Sequence, residues 1–361
     1  MTLSRAISSD AAHASHSLHR TAWTSGSPGL CLAIAALAAC SGARAGSAAV
    51  SPQAPVHSPE FAAGLTAFDK GDYASARTDF EAAAKSNPND HEALWNLGQT
   101  CEKLGDNPAA AAAYRSEIAV KPDADHATAE LAHLYVGDGK TDEALALATA
   151  GLVKSPGSAA LHAAMGLALA TRGDQDAAIK QFAQASQLDP GDPMIHYTFA
   201  VWLNRWHVRG ATIHLDTALP LVKGDYPMAV SIGHEYRLAG EFDSCVRTFD
   251  TAIKTRDGGE VRTERALCRL GLKDEKGALA DLRSAVTTEP SYPQAHFFLA
   301  GRLASTKHYK EAAIEYAAYL QLAPDGSLGQ QATERLKVAQ DAVEQQKVDN
   351  GVASTSKRRP K

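Results

Sequence analysis

An all-α array of repeated helix pairs is the fold class that the sequence predicts, because several columns of residues keep one spacing. Prolines recur every 34 residues, at Pro88, Pro122, Pro156 and Pro190, and again at Pro290 and Pro324. A glycine or alanine column keeps this phase at Gly64, Gly98, Ala132, Gly166, Ala200, Gly233, Ala266 and Ala300. A second small-residue column contains Ala76, Ala110, Ala144, Ala178, Cys245, Ala278 and Ala312. A fixed period of this length is typical of repeat proteins.

Each repeat is predicted to contain two helices joined by a tight turn. Glycine is favoured at a left-handed helix C-cap, and glycines follow the predicted first helix at Gly71, Gly105, Gly139, Gly173 and Gly240. The prolines mark the end of the second helix, because proline cannot continue a helix. One aromatic per repeat is expected to pack between the paired helices, at Phe80, Tyr114, Phe182, Phe249 and Tyr316. Apolar residues at helical spacing are usually core residues.

The second repeat carries the most complete motif. In order it contains Leu97-Gly98, Gly105-Asp106, Ala110, Tyr114 and Pro122. This pattern resembles the tetratricopeptide repeat, a 34-residue helix-turn-helix unit. The resemblance implies a right-handed superhelical solenoid of about eight repeats whose first helices line an inner groove.

Counting from the columns predicts the organisation of the chain. The repeats occupy residues 57–192 (repeats one to four), 193–225 (a divergent repeat five) and 226–326 (repeats six to eight). Repeat arrays need a polar outer face at the last helix. Residues 327–347 are predicted to supply it, since Leu336, Ala339 and Val343 give that segment one apolar side. Residues 348–361 are basic without apolar periodicity, and we predict a disordered tail.

The N-terminal region carries the pattern of a secretion signal. A short apolar run from Leu30 to Ala39 follows Arg20 and precedes small residues. Such a run is too short for a lasting transmembrane helix, which needs about 20 apolar residues. Its end, Leu37-Ala38-Ala39-Cys40, resembles the lipobox of bacterial lipoproteins. The resemblance implies a signal peptide over 1–40, a lipid on the Cys40 thiol and, with Ser41 following, an outer-membrane location facing the periplasm.

Two alternatives to the lipoprotein remain. Ala43-Arg44-Ala45 fits ordinary signal-peptide cleavage, which would release a soluble periplasmic or secreted protein. The other alternative is that the protein is not exported. The segment before the apolar run is longer than usual for a signal peptide and contains Asp10. In either exported form, residues 41–56 are rich in Ser, Ala, Gly and Pro and are predicted to be a flexible linker.

Charge argues against a nucleic-acid partner. The formal net charge is −5, and a negative protein is repelled by a phosphate backbone. The sequence therefore favours protein partners.

The cysteines after Cys40 are Cys101, Cys245 and Cys268, and none has the spacing of metal ligands. Cys245 is predicted on the second helix of repeat six and Cys268 on the first helix of repeat seven. Neighbouring helices permit a disulfide between them in an oxidising compartment. The other interpretation is that all three are buried thiols.

Catalytic motifs are missing from the sequence, which contains no phosphate-binding loop, no His-Glu-x-x-His and no Gly-x-Ser-x-Gly. We predict no enzyme activity, no cofactor and no metal site. His162, His196 and His296 share one repeat position and are expected to be packing residues. His126 and His133 lie seven apart on one predicted helix, and their shared face makes them candidates for ligand contact.

Repeat five departs from the pattern. It contains Trp202, Trp206, His207 and His214, lacks the glycine after the first helix and has Pro220 early. The indoles could be exposed anchors for a partner or oversized core residues. We favour the core interpretation.

The resemblance also predicts which side chains face the groove. They include Phe61, Trp95, Asn96, Gln99, Glu130, His133, Tyr197, His234, Arg237, Phe297 and Phe298. Few are Lys or Arg, so a clamp for a terminal carboxylate is not expected. Such a groove suits an apolar or amphipathic protein segment.

These observations predict a non-enzymatic scaffold or adaptor of a bacterial cell envelope that binds proteins through its concave groove. One alternative is a soluble secreted or periplasmic adaptor. Another is an accessory or sugar-binding subunit of an envelope enzyme complex, which would use Trp202 and Trp206. Fold alone does not choose among them.

Overall fold

The computed structural model describes residues 57–222 and 224–356, without the side chains of residues 350–356. In this part of the chain all regular structure is α-helical. The first helices of the repeats are α1 (Pro59–Asp69), α3 (His91–Lys103), α5 (Asp125–Gly137), α7 (Ala159–Arg172), α9 (Pro193–Arg205), α11 (Tyr226–Ala239), α13 (Gly259–Gly271) and α15 (Pro293–Ser305). The second helices are α2 (Tyr73–Ser86), α4 (Asn107–Val120), α6 (Thr141–Lys154), α8 (Gln175–Leu188), α10 (Ala211–Leu221), α12 (Phe242–Thr255), α14 (Glu275–Thr288) and α16 (Tyr309–Leu322). The last helix is α17 (Gly329–Ser356).

The chain divides into two compact units between Phe199 and Ala200, inside α9. We call the described residues 57–199 the N-terminal unit and 200–356 the C-terminal unit. Apart from α9, which spans the boundary, each first helix packs on the second helix of its own repeat and, from α3 onward, on the preceding second helix.

The turn inside each repeat contains a residue with a left-handed backbone, and in three repeats an aspartate (Asp72, Asp106 or Asp274) caps the second helix. Gly105 follows α3 with a φ of 74°. One residue later, Asp106 accepts a hydrogen bond of 3.1 Å from the Ala109 backbone N–H and so caps α4. The predicted glycine positions all adopt this positive φ, at Gly71, Gly105, Gly139, Gly173 and Gly240.

Three repeats have no glycine at this turn position and nevertheless adopt a positive φ there. His207, Lys273 and Lys307 have φ values of 54°, 62° and 66°. The left-handed conformation costs an L-residue roughly 1–2 kcal/mol. These repeats therefore keep the turn geometry against a local conformational cost.

The small-residue columns are the places where paired helices approach most closely. A Cβ atom added to Gly64 would lie 2.7 Å from the Phe80 ring, and one added to Gly166 would lie 2.9 Å from Phe182. The five predicted core aromatics are at most 2% exposed. The predicted packing columns are thus confirmed.

The last helix is longer than the sequence predicts. α17 continues past residue 347 to Ser356, into the segment expected to be a disordered tail. Residues 348–356 contain no proline that would stop a helix, and extending an existing helix costs far less than starting one. The predicted signal peptide 1–40, the linker 41–56 and residues 357–361 lie outside the described residues.

Within the described part of the chain, no helix is both long enough and apolar enough to cross a membrane.

Candidate functional site

The predicted groove residues lie on the odd-numbered helices, and we call the surface of these helices the first-helix face. The structure corrects the interpretation of three of them. Phe61, Tyr197 and Phe297 are only 5, 7 and 3% exposed, so they belong to the interior. The rings of Phe61 and Phe297 face second helices: Phe61 packs 5.8 Å from Phe80 and Phe297 packs 5.8 Å from Tyr316. Each lies three residues before the small-residue column and therefore on the same side of its helix.

Trp95 and Phe298 remain half-buried at the first-helix face. The Trp95 ring packs 5.5 Å from Tyr114 and 6.1 Å from His126. Phe298 packs at 5.5 Å against the buried Phe297. Both side chains support the fold on one side and reach the surface on the other.

The first-helix face of the N-terminal unit also carries polar groups. Asn96 donates a 2.8 Å hydrogen bond to the Glu92 backbone carbonyl oxygen, and Gln99 is half-buried one turn from Trp95. On the next first helix, His133 Nδ1 lies 3.3 Å from Glu130 Oε2. The sequence had selected Trp95, Asn96, Gln99, Glu130 and His133 for this surface.

Glu102 belongs to the same surface, and the sequence analysis missed it. Its Oε1 atom accepts a 2.5 Å hydrogen bond from the Tyr114 hydroxyl. Burial, and after it the charge of Glu130, raise the pKa of Glu102 above the ordinary glutamate value. Two carboxylates on consecutive first helices, α3 and α5, therefore influence each other.

In the C-terminal unit, His234, Arg237 and Glu264 form a connected cluster. Arg237 donates from Nε to Glu264 Oε2 at 3.0 Å and from Nη2 to His234 Nδ1 at 3.1 Å. His234 Nδ1 also lies 3.5 Å from Glu264 Oε2. Burial alone would raise the pKa of Glu264, but Arg237 and His234 outweigh burial and lower that pKa to about 2. In this part of the first-helix face, the charges of Arg237 and Glu264 are therefore paired with each other.

Arg265, Arg269 and Asp281 replace apolar packing by ion pairs in repeat seven. Arg265 Nη1 lies 2.7 Å from Asp250 Oδ1, and Arg269 Nη1 lies 2.7 Å from Asp281 Oδ2. Asp281 is only 3% exposed. The arginines occupy columns that hold Leu97 and Cys101 in repeat two, so they could have been noticed in the sequence. The network joins α12, α13 and α14 and is structural.

The structure joins Cys245 and Cys268 in a disulfide, with Cα atoms 6.0 Å apart. The bond links α12 of repeat six to α13 of repeat seven. Cys101 is a buried free thiol whose pKa is raised by burial.

The three histidines that share one repeat position each contact the turn before their helix. This contact agrees with their predicted packing role. His196 Nε2 lies 3.2 Å from the Pro190 carbonyl oxygen, and His296 Nε2 lies 2.9 Å from that of Pro290. His162 repeats the contact with Pro156 at 3.1 Å. In each case the partner is the proline six residues earlier.

Trp202 and Trp206 are both half-buried. Their ring centroids lie 5.2 Å apart, and the Arg205 guanidinium lies 4.9 Å from the Trp202 ring centre. The pair is therefore neither a free surface patch nor part of the interior core.

A cavity of about 350 Å³ lies beside α10 in the C-terminal unit. α10 has 11 residues and contains Pro220, whereas each other second helix has 14 residues. Tyr236 and Thr248 line the space that the shorter helix leaves, and neither Trp202 nor Trp206 does. Among the described residues, no group of three or more His, Cys, Asp or Glu side chains could hold a metal ion.

Stacked helix hairpins with a glycine turn and small-residue columns define the chain as a helical repeat protein. The sequence model of the tetratricopeptide repeat matches residues 61–125, 130–193 and 274–327, just over half of the chain. The chain therefore belongs to the tetratricopeptide repeat family. The region between the matched segments, 194–273, contains the divergent repeat five.

The solved structure of yeast Tom70 supports the same fold. Yeast Tom70 is 16% identical with a TM-score of 0.50, over 86% of this chain and 70% of that chain. The APC/C hetero-tetramer Cut9–Hcn1 is 14% identical with a TM-score of 0.49, over 78% of this chain and 55% of that chain. This chain thus spans only about half of the Cut9–Hcn1 chain that it matches. No curated protein sequence matches the chain. Tetratricopeptide repeat proteins generally bind protein partners.

Proposed function

We propose that the protein is a non-enzymatic scaffold or adaptor that binds protein partners through its first-helix face. The observation that carries this proposal is the surface around Trp95. Asn96 and Gln99 reach the surface at positions where other repeats have different residues, and the Trp95 indole on the same helix is half-buried in the aromatic column of Phe61, Tyr197 and Phe297. Variable surface residues on a regular scaffold are the common basis of recognition in repeat proteins.

Binding at this surface predicts a contrast between two matched substitutions. Gln99→Arg places a long cation on the first-helix face, and Val153→Arg places the same cation on α6, where Val153 is 80% exposed. We expect Gln99→Arg to weaken partner binding at least about tenfold, a loss of about 1.4 kcal/mol. Val153→Arg should leave binding unchanged.

The partner for this titration is obtained by photocrosslinking. A photoreactive residue replaces Gln99 in one protein and Val153 in another, and the crosslinked products are identified by mass spectrometry. A product at position 99 and none at position 153 is the expected result. Crosslinking through position 153 alone, or equal binding by both arginine variants, would contradict the proposal.

We further propose that the protein works in a bacterial cell envelope, held to the outer membrane by a lipid on Cys40 and facing the periplasm. The Leu37-Ala38-Ala39-Cys40 motif supports this location. The Cys245–Cys268 bond also supports it, because disulfides persist mainly in oxidising compartments. The soluble periplasmic or secreted adaptor remains the alternative, and it differs in being cleaved after Ala45.

A further inference from the structure

One buried carboxyl group of the N-terminal unit takes no part in the surface described above. Glu117 on α4 is only 5% exposed, and its Oε2 atom has no hydrogen-bond partner among the described residues. Glutamate is rarely buried unless it is paired, and a buried charge without a partner is strongly unfavourable. The form of Glu117 that fits this place is therefore the neutral, protonated acid.

The repeat position of Glu117 lies at the junction between neighbouring repeats. It comes three residues after the core aromatic, and the other repeats have Ala83, Gly151, Ala185, Leu219, Ala252, Ala285 and Tyr319 there. A Cβ atom added to Gly151 would lie 2.9 Å from Leu161 on the following first helix and 3.1 Å from Thr128 on the first helix of its own repeat. First helices thus enclose this position on both sides. Glu117 is the one carboxylic acid in the column.

The opposite wall of the junction is smaller where the glutamate lies. Ala127 on α5 occupies the repeat position that Leu161 has on α7, and both residues are 0% exposed. The junction of repeats two and three therefore has Glu117 and Ala127 where the next junction has Gly151 and Leu161. Because protein interiors are close-packed, we infer that the smaller Ala127 leaves the room that the longer Glu117 fills.

The surroundings of Glu117 favour its protonated form. Burial is the main reason why its pKa is raised, to about 7. Lys121, one turn further along α4, opposes this rise, whereas Asp125 at the start of α5 adds to it. On α3 the position equivalent to Thr128 is Leu94, which carries no charge. An unfolded glutamate has a pKa of about 4.3, so the folded junction keeps a proton that the unfolded chain has already released.

We propose that Glu117 makes the junction between repeats two and three a pH-sensitive contact, which is tight while this carboxyl group is protonated and loosens when it ionises. The folded state binds more protons than the unfolded state, so stability falls as the pH rises from about 4.3 and levels off above the pKa of the folded state. The junction includes α3 and α5, the helices that carry Gln99 and His133. The inference does not depend on the proposed function.

The first test is equilibrium urea unfolding of the full chain. Glu117→Gln keeps the shape of the neutral acid and cannot ionise. Between about pH 5.5 and about pH 8, the ratio of folded to unfolded protein in this variant, relative to the wild type, should rise at least about tenfold. Glu143→Gln removes an exposed carboxylate on α6 and is the matched control, which should follow the wild type at every pH. The pKa of Glu102 is also raised, so the difference between variant and wild type carries the result.

The second test rebuilds the junction with the residues of the next one. Glu117→Gly combined with Ala127→Leu should lose the same part of the pH dependence as Glu117→Gln. Ala127→Leu alone should destabilise the protein, because the leucine would compete with Glu117 for one space.

Hydrogen exchange at a single pH of about 7.5 locates the effect. The amides of α4 and α5 should exchange faster in the wild type than in Glu117→Gln, while those of α14 should exchange equally, since local opening is reported by local exchange.

A constant stability difference between Glu117→Gln and the wild type across the pH range would overturn the inference. Equal exchange of α4 and α5 in the two proteins would also do so. If Glu117→Gln does not fold, the double variant supplies the comparison, and a pH dependence equal to that of the wild type would then exclude Glu117 as its source.

Discussion

At the residue scale, the turn between paired helices shows the effect of backbone conformation on stability without a contribution from side-chain packing. Gly105 has a positive φ and no atom within 4 Å of the place where a Cβ would be. Lys273 has the same backbone and an exposed side chain. The difference between glycine and another residue at this position is therefore almost purely conformational.

We predict that Lys273→Gly stabilises the protein by about 1 kcal/mol, because glycine adopts a positive φ without steric cost. Gly105→Ala should destabilise it by a similar amount. Equilibrium urea unfolding measures both changes. Lys273→Ala is the matched control and should bring no gain, since alanine keeps the unfavourable φ. A gain as large as that of glycine would show that the lysine side chain, rather than the backbone, is the cause.

The same scale shows what the sequence could and could not predict. The burial of the five core aromatics could be predicted from their shared repeat position. The burial of Phe61 and Phe297 was not predicted, although their spacing of three residues from the small-residue column contained the information. Glu102 was missed because a single glutamate on a helix carries no signal, and its meaning depends on Glu130 in the next repeat.

At the element scale, α17 closes the C-terminal unit. Ala332 and Ala339 are at most 1% exposed on its inner side. Arg335 lies 5.0 Å above the ring of Phe297, so this helix covers a residue that the sequence had placed in the groove. The sequence predicted the capping helix from its apolar side. It did not predict the helical extension to Ser356, because low hydrophobicity alone does not end a helix.

We predict that removing α17, by ending the chain after residue 326, lowers the unfolding temperature and increases aggregation. The reason is that the apolar side of α15 and α16 would be exposed to water. Thermal unfolding by circular dichroism and light scattering measure the two effects. A chain that ends after residue 347 is the control and should behave like the full protein. Equal stability of the shorter chain would show that α17 is not a cap.

At the scale of the whole molecule, attachment to a membrane would decide where the first-helix face can meet its partners. The signal for attachment lies in the sequence alone, at Cys40 after the apolar run. Residues 41–56 would then separate the lipid from α1. If these sixteen residues form the predicted linker, their r.m.s. reach would be about 20 Å.

We predict that Cys40 carries the lipid. Metabolic labelling with a clickable fatty acid should mark the wild-type protein and not Cys40→Ser. Each buried CH₂ group contributes about 0.8 kcal/mol, so two or three acyl chains would hold the protein on the membrane durably. Cys101→Ser is the matched control and should keep the label. Equal labelling of the wild-type protein and Cys40→Ser would show that Cys40 is not the lipidated residue, and a mature N-terminus at Gly46 would favour the soluble alternative.

The Cys245–Cys268 bond would alter how the C-terminal unit behaves under tension. A repeat array contacts only its neighbours, so a pulling force can unravel it one hairpin at a time. The bond bridges 23 positions of the chain, which when extended would release about 80 Å of contour length. With the disulfide intact this contour length is not released, because the force passes through the two sulfur atoms instead of the backbone between Cys245 and Cys268. Repeats six and seven would then act as a mechanical stop for unravelling that starts at the C-terminus.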